Sequence, residues 1–280
     1  MMAFKTATQN SGNAASVASL LDAGGYAARI VQIIDLGLQP GSQQYPEPVY
    51  KLLVKFELLD EFMHEVNEDG SVKVTEEDSE MVPVIIADKP RWFDFEFTYN
   101  EDGYMGDRSH IYKLMQAVDA FEVVANPDSG VTGHPAKELK ELLGEPLMLN
   151  LIQTIAKGGK NAGKTVNKIS SFAAMKGKDK KTAPALVNPT TFFDMAEPDI
   201  EVFSKLPSGN QYCPQERIKS GPAFGQSKLA AMLGLASAKP IVVEEVAEPV
   251  DVDEAMAAEL AAQQAAQQAS AVAEKPAVPF

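Results

Sequence analysis

Alternation of apolar and polar side chains in two long segments constrains the fold of this chain more than any other feature. In VYKLLVKFELLDEF, Tyr50, Leu52, Val54, Phe56 and Leu58 fall on one side, with Lys51, Leu53, Lys55 and Glu57 on the other. After Pro90, RWFDFEFTYN sets Phe93, Phe95, Phe97 and Tyr99 against Trp92, Asp94, Glu96 and Thr98. A period of two predicts half-buried β-strands, because successive side chains of an extended chain point to opposite faces. A further strand is predicted upstream from GYAARIVQIIDLGLQPG, a β-branched apolar run stopped by Gly37, Pro40 and Gly41.

Past these three segments, GDRSHIYKLMQAVDAF changes to helical spacing. Ile111, Leu114, Val118 and Phe121 share a stripe, and Asp107 or Ser109 can cap its start. EPLMLNLIQTI and TVNKISSFAAM, joined by AKGGKNAGK, are then expected to pair as a hairpin. Strand, strand, strand, helix, strand, strand predicts a mainly β protein: an OB-fold five-stranded barrel with a helix between strands three and four. The expected organisation is a flexible arm over 1–24, the barrel over 25–181, a loop-rich appendage over 182–236 packing on it, and a disordered acidic tail over 237–280. The acidic stretch 60–80, with Asp69-Gly70 at its centre, reads as a long excursion or a mobile hairpin.

Charge is unevenly placed. The total of 25 basic and 39 acidic residues, a net of −14, would argue against a polyanionic partner. Residues 60–80 carry nine carboxylates against Lys73, and the segment from Pro240 carries eight against Lys275. Residues 150–181 instead hold eight lysines against Asp179, so a polyanion would meet a strongly positive local field there.

Other classes are disfavoured by what the chain contains. A single cysteine, Cys213, makes no internal disulfide and has no sequence neighbour that would activate it. His64, His110 and His134 lack ligand spacing, and the acidic run lacks the rhythm of a calcium loop, so neither a metal nor a cofactor is expected. No apolar run reaches the roughly 18 residues of a bilayer span, and the polar N-terminal segment is no secretory signal. The expectation is a cytoplasmic, non-enzymatic protein without a membrane partner.

One motif points elsewhere. GGKNAGKT matches a phosphate-binding loop at Gly158, Gly163, Lys164 and Thr165. Such a loop needs a helix after it, and TVNKISSFAAM is β-branched without a helical stripe. A P-loop nucleotide-binding phosphohydrolase is therefore an alternative, with a Gly-rich hairpin turn the better fit. As a turn between the fourth and fifth strands, it would be one of the loops that OB-folds use to hold oligonucleotides, with Lys157, Lys160, Lys164 and neighbouring Lys168 meeting phosphates.

Aromatic and basic residues complete the candidate groove. Trp92, on the face opposite the Phe93 stripe and read as lying beside Lys89 and Arg91, is a candidate stacking platform, as are the loop residues Tyr45 and Tyr104. Lys51 and Lys55 would line the same groove, with Arg29 nearby.

GYAARIVQIIDLGLQPG, YKLLVKFEL, KPRWFDFEFTYN, LLGEPLMLNLIQ and VNKISSF, followed by NPTTFFDMAEPDIEVFSKLP and QERIKSGPAF, resemble the OB-fold single-stranded DNA-binding proteins of tailed bacteriophages, from about Gly25 to Phe224. The acidic segment closing on Val278, Pro279 and Phe280 is similar to the tail of bacterial single-stranded DNA-binding proteins, although Lys275 follows the last carboxylate, Glu274. The resemblance implies sequence-independent binding and protection of single-stranded DNA during replication or recombination, with the tail recruiting partner proteins through its apolar end. Single-strand annealing needs similar surfaces and stands beside it as an alternative, and a homo-oligomer is compatible with either. The opposite charges of 150–181 and the tail also predict competition between tail and DNA for the lysines.

Overall fold

The computed structural model describes residues 16–42, 45–100, 105–126, 130–158 and 161–237, with the backbone alone for 123–134. A two-residue strand β1 (Ser16–Val17) precedes the long strands β2 (Gly24–Gln39) and β3 (Val49–Glu65). A small ribbon, β4 (Val74–Glu77) and β5 (Glu80–Pro83), leads into β6 (Ile85–Tyr99), helix α1 (His110–Ala117) and a second ribbon, β7 (Phe121–Asn126) and β8 (Gly130–Pro135). Then come β9 (Pro146–Ile155), β10 (Thr165–Ala174), α2 (Gly177–Thr182), β11 (Thr191–Phe193), α3 (Ile200–Lys205), α4 (Pro214–Ser220) and α5 (Lys228–Met232).

The protein is mainly β, with antiparallel sheets. β6, β3, β2, β9 and β10 neighbour one another in that order, each pair antiparallel. β1 joins the far end of β3, and β11 runs parallel to β2. This five-strand path does not close into the expected barrel, because no ladder joins β10 to β6 among the described residues. β10 meets β6 through side chains instead: the Phe172 ring centroid lies 5.2 Å from that of Phe95 and 5.3 Å from that of Phe97, within the core that also holds Phe56.

Period two is obeyed where one face alone needs covering. Leu52, Val54, Phe56 and Leu58 of β3 are buried with Phe97, while Phe93, Phe95 and Tyr99 pack against the same core. β2 is apolar on both sides because both its faces are covered. Ala28, Ile30 and Ile33 enter this main core, whereas Ile34 and Leu36 join Leu53, Phe193, Phe203, Leu206, Ile218 and Leu229 in a second cluster. That second cluster is where residues after 182 dock on the outer face of the sheet.

Polar pins fix the docking. Asp35, from the IIDLG phrase, accepts from Gly37 N at 2.8 Å, Tyr99 Oη at 2.9 Å and Met195 N at 3.3 Å. Gly37 sits at a register shift with φ +65°, a left-handed conformation that a side chain would strain. Gln39 donates from its amide to the carbonyls of Leu36 and Arg217.

Local signals place the helix and the turns. Ser109 Oγ accepts from Tyr112 N at 3.1 Å and caps α1. The helical stripe was expected to include Phe121, but the helix ends at Ala117, Asp119 turns at φ +54°, and Phe121 opens β7 against the Tyr112 ring. Asp78 and Ser79, both at positive φ, form the two-residue turn between β4 and β5.

Residues from Ser16, expected as the end of a free arm, lie against the sheet. Leu21 is buried, and Asn167 holds both its N–H and its carbonyl. Residues 1–15 and 238–280, and with them the expected tail beyond Ser237, lie outside the described residues. No helix among the described residues is long and apolar enough to cross a membrane.

Candidate nucleic-acid interface

The outer face of the β3–β6 pair is set by register. Glu57 opposes Trp92, Lys55 opposes Asp94, Leu53 opposes Glu96 and Lys51 opposes Thr98. Appended segments already cover much of this ladder. Glu57 is 1% exposed and accepts from Val187 N and from both the backbone N–H and side-chain amide of Asn188. On the neighbouring strand Arg29, the cross-strand partner of Glu57, donates to the carbonyls of Gly144, Ala183 and Pro184. The run 183–188 is therefore a strap across β2 and β3, and Arg29 is its anchor instead of a phosphate contact. Its guanidinium is spent on carbonyls, whose partial charge it compensates at short range.

Farther along, Lys51 is held by Glu96 at 2.7 Å, and Arg217 of α4 pairs with the same carboxylate. Burial alone would raise the Glu96 carboxyl. The hydrogen bonds and charges of Arg217 and Lys51 outweigh it and hold the group below the usual carboxylate range. Lys51 was expected to line the groove, yet its charge is matched before any ligand arrives.

Between strap and α4 a window remains. Trp92 is 37% exposed, and the Lys55 ammonium lies 5.7 Å from its ring centroid. Burial pushes Lys55 below its ordinary range, while neighbouring Asp94 and Cys213 pull it back up. The half-buried cation and the indole form a cation–π pair, and the exposed part of the ring is open to a ligand. Arg91, expected beside Trp92, projects to the opposite side. Sequence neighbours on a strand alternate faces, and Arg91 is buried over the Phe93 ring, donating to the Ser19 carbonyl. Lys89 is half-buried on the same strand.

The second group lies at the β9–β10 turn. Gly163 N donates to Ala156 O and Ala156 N to Lys164 O, closing a hairpin in which Gly163 takes φ +78°. β10 begins at Thr165, so a strand follows the GKT sequence where a nucleotide loop would have a helix N-terminus to cradle a phosphate. Lys157, Lys164 and Lys168 are exposed and make no ion pair among the described residues. Lys168 and Lys113 add to burial in holding the His110 imidazole below its ordinary range.

The described lysines of 150–181 do not form one patch. β10 separates those at the hairpin from Lys176, Lys178, Lys180 and Lys181 by about 30 Å of extended chain. Lys180 is paired with Asp119 at 3.3 Å and Glu145 at 3.5 Å. Tyr45 is half-buried in the β2–β3 loop. Tyr104, Lys160, Val278, Pro279 and Phe280 lie outside the described residues.

Sequence reasoning missed Tyr212, 79% exposed in the loop before α4 and one residue from Cys213, which neighbours Lys55. The signal was its setting in SGNQYCPQ, a polar turn around an isolated aromatic. Among the described residues no cluster of three or more histidine, cysteine or acidic side chains could hold a metal ion. Comparison with known protein families and with curated proteins finds no match to this chain.

Proposed function

We propose that the chain is a non-enzymatic, sequence-independent single-stranded DNA-binding protein of OB type, in which β2, β3, β6, β9 and β10 are the five barrel strands left unlaced at one seam. The strand path and the helix between the third and fourth of these strands support that reading. The observation that carries the function is the exposed Trp92 ring, backed by Lys55 on the open part of the sheet. Stacking on an aromatic ring is worth about 1–3 kcal/mol per base and tolerates any sequence, while the hairpin lysines supply phosphate contacts that do the same.

The DNA path runs past Trp92 and Lys55 toward Lys157, Lys164 and Lys168. The phage-type resemblance gives the setting, replication or recombination, with the acidic C-terminal segment as the part that competes for the lysines and recruits partner proteins.

Titration of Trp92 fluorescence with oligo(dT) at two salt concentrations tests the reading. Binding quenches the indole and weakens as salt rises. An unchanged emission together with no mobility shift at low salt would remove the proposal.

A further inference from the structure

We infer that the cleft between the Tyr50 end of the sheet and the appendage is a docking site for a cationic, amphipathic segment of a partner protein, separate from the proposed nucleic-acid face. At about 1590 Å³ it is the size of a peptide groove, larger than the roughly 300–1,000 Å³ of most small-molecule sites. Its floor is apolar and only partly covered, with Leu38, Leu139, Leu143, Phe192 and Met195 contributing half-buried side chains.

The rim gives the occupant its sign. Glu138, Glu141, Asp194, Glu197 and Asp199 line the cleft against two cations, Lys137 and Lys140. Lys137 is already held by Glu145 at 2.9 Å. Carboxylates around a low-dielectric wall focus a negative potential, which attracts lysine and arginine and repels a polynucleotide. An apolar floor within an anionic rim is the complement of a helix or extended segment with one greasy and one basic side. The acidic segment of this chain, leaving at Ser237 beside the cleft-lining Phe224 and Gln226, has the wrong charge to fill it.

The probe is a fluorescein-labelled peptide of leucine and lysine at helical period, about fifteen residues long, with a leucine–glutamate counterpart. Anisotropy with the full chain should show binding of the lysine peptide alone, with Trp92 emission unchanged. Glu197→Lys, at an exposed rim position, and Leu38→Lys, which plants a cation on the floor, should each weaken it about tenfold. Oligo(dT) affinity should stay as in the wild type. Because the cleft stands apart from Trp92, failure of DNA binding leaves this inference intact. Equal binding of both peptides, or wild-type binding by both variants when their melting curves show them folded, would overturn it. So would peptide binding that emerges only after residues 240–280 are deleted, which would make the cleft the seat of the chain's own tail.

Discussion

Lys55 holds its ammonium 5.7 Å from the Trp92 centroid in a half-buried setting that lowers its pKa. An approaching phosphate favours the charged form, so binding at alkaline pH takes up a proton at this residue. Oligo(dT) affinity should therefore begin to fall at a lower pH than exposed lysines would give, and Lys55→Arg should move that fall upward. Superposable pH profiles for the two proteins would exclude Lys55 from the contact. Two carboxylates make opposite predictions for stability. Asp35 has a raised pKa, chiefly from burial, so its contribution is complete below the unfolded value near 3.9 and is lost as pH rises through the folded value. Glu96 has a lowered pKa, so its contribution is present above the unfolded value near 4.3 and is lost as pH falls through the folded value. In urea titrations across the acid range, the deficit of Asp35→Asn should shrink as pH rises. That of Glu96→Gln should shrink as pH falls. Parallel curves would mean that neither carboxyl titrates differently on folding.

At the scale of elements, the strap 183–188 and the second apolar cluster decide how much of the sheet is left for a ligand. Phe193, 1% exposed, packs its ring 5.6 Å from that of Phe203, and truncating it to alanine should cost about 3–5 kcal/mol by emptying a site that the strand backbone cannot collapse into. Glu57→Ala leaves the strap's N–H groups buried without an acceptor, a loss of roughly 3 kcal/mol that a denaturant midpoint would register. An exposed substitution such as Lys164→Gln should leave that midpoint unmoved. β3 and β6 were legible because each has a face whose period the sequence shows, as in Phe93 to Tyr99, and β2 because it is a β-branched apolar run ended by turn residues. Ile34, Leu36 and Leu53 also held a signal, since apolar residues on the outward side of otherwise alternating strands require a second cover. The identity of that cover was not legible. β11 has three residues and the strap none in regular structure, so neither generates a period. The candidate site suffered for the same reason. Whether Arg29 and Lys51 are free depends on carbonyls and carboxylates more than 40 residues away, which spacing within a strand does not encode.

Across the whole molecule, charge of each sign is segregated. Acidic side chains crowd the β4–β5 ribbon and the rim of the cleft, whereas Lys157, Lys164 and Lys168, exposed and without an ion pair among the described residues, sit at the β9–β10 hairpin. Phosphate binding at that hairpin has a measurable signature, because every phosphate left without its lysine lowers the slope of log affinity against log salt by about 0.7 for a single strand. Lys157→Gln with Lys164→Gln should thus shallow the slope by roughly 1.4 without abolishing Trp92 quenching. The acidic segment from Pro240 carries the charge opposite to that of the hairpin lysines. Removing it halves the formal charge, from −14 to −7, while leaving every hydrogen bond and ion pair described for the folded part in place. If that segment competes for the lysines, its deletion should raise oligo(dT) affinity severalfold at low ionic strength. The two proteins should then converge as the Debye length shrinks to about 10 Å at 0.1 M and below it at higher salt. A gain that persists at high salt would instead mean that the segment blocks the site by contact. Identical affinities at low salt would show that the tail and the hairpin act independently.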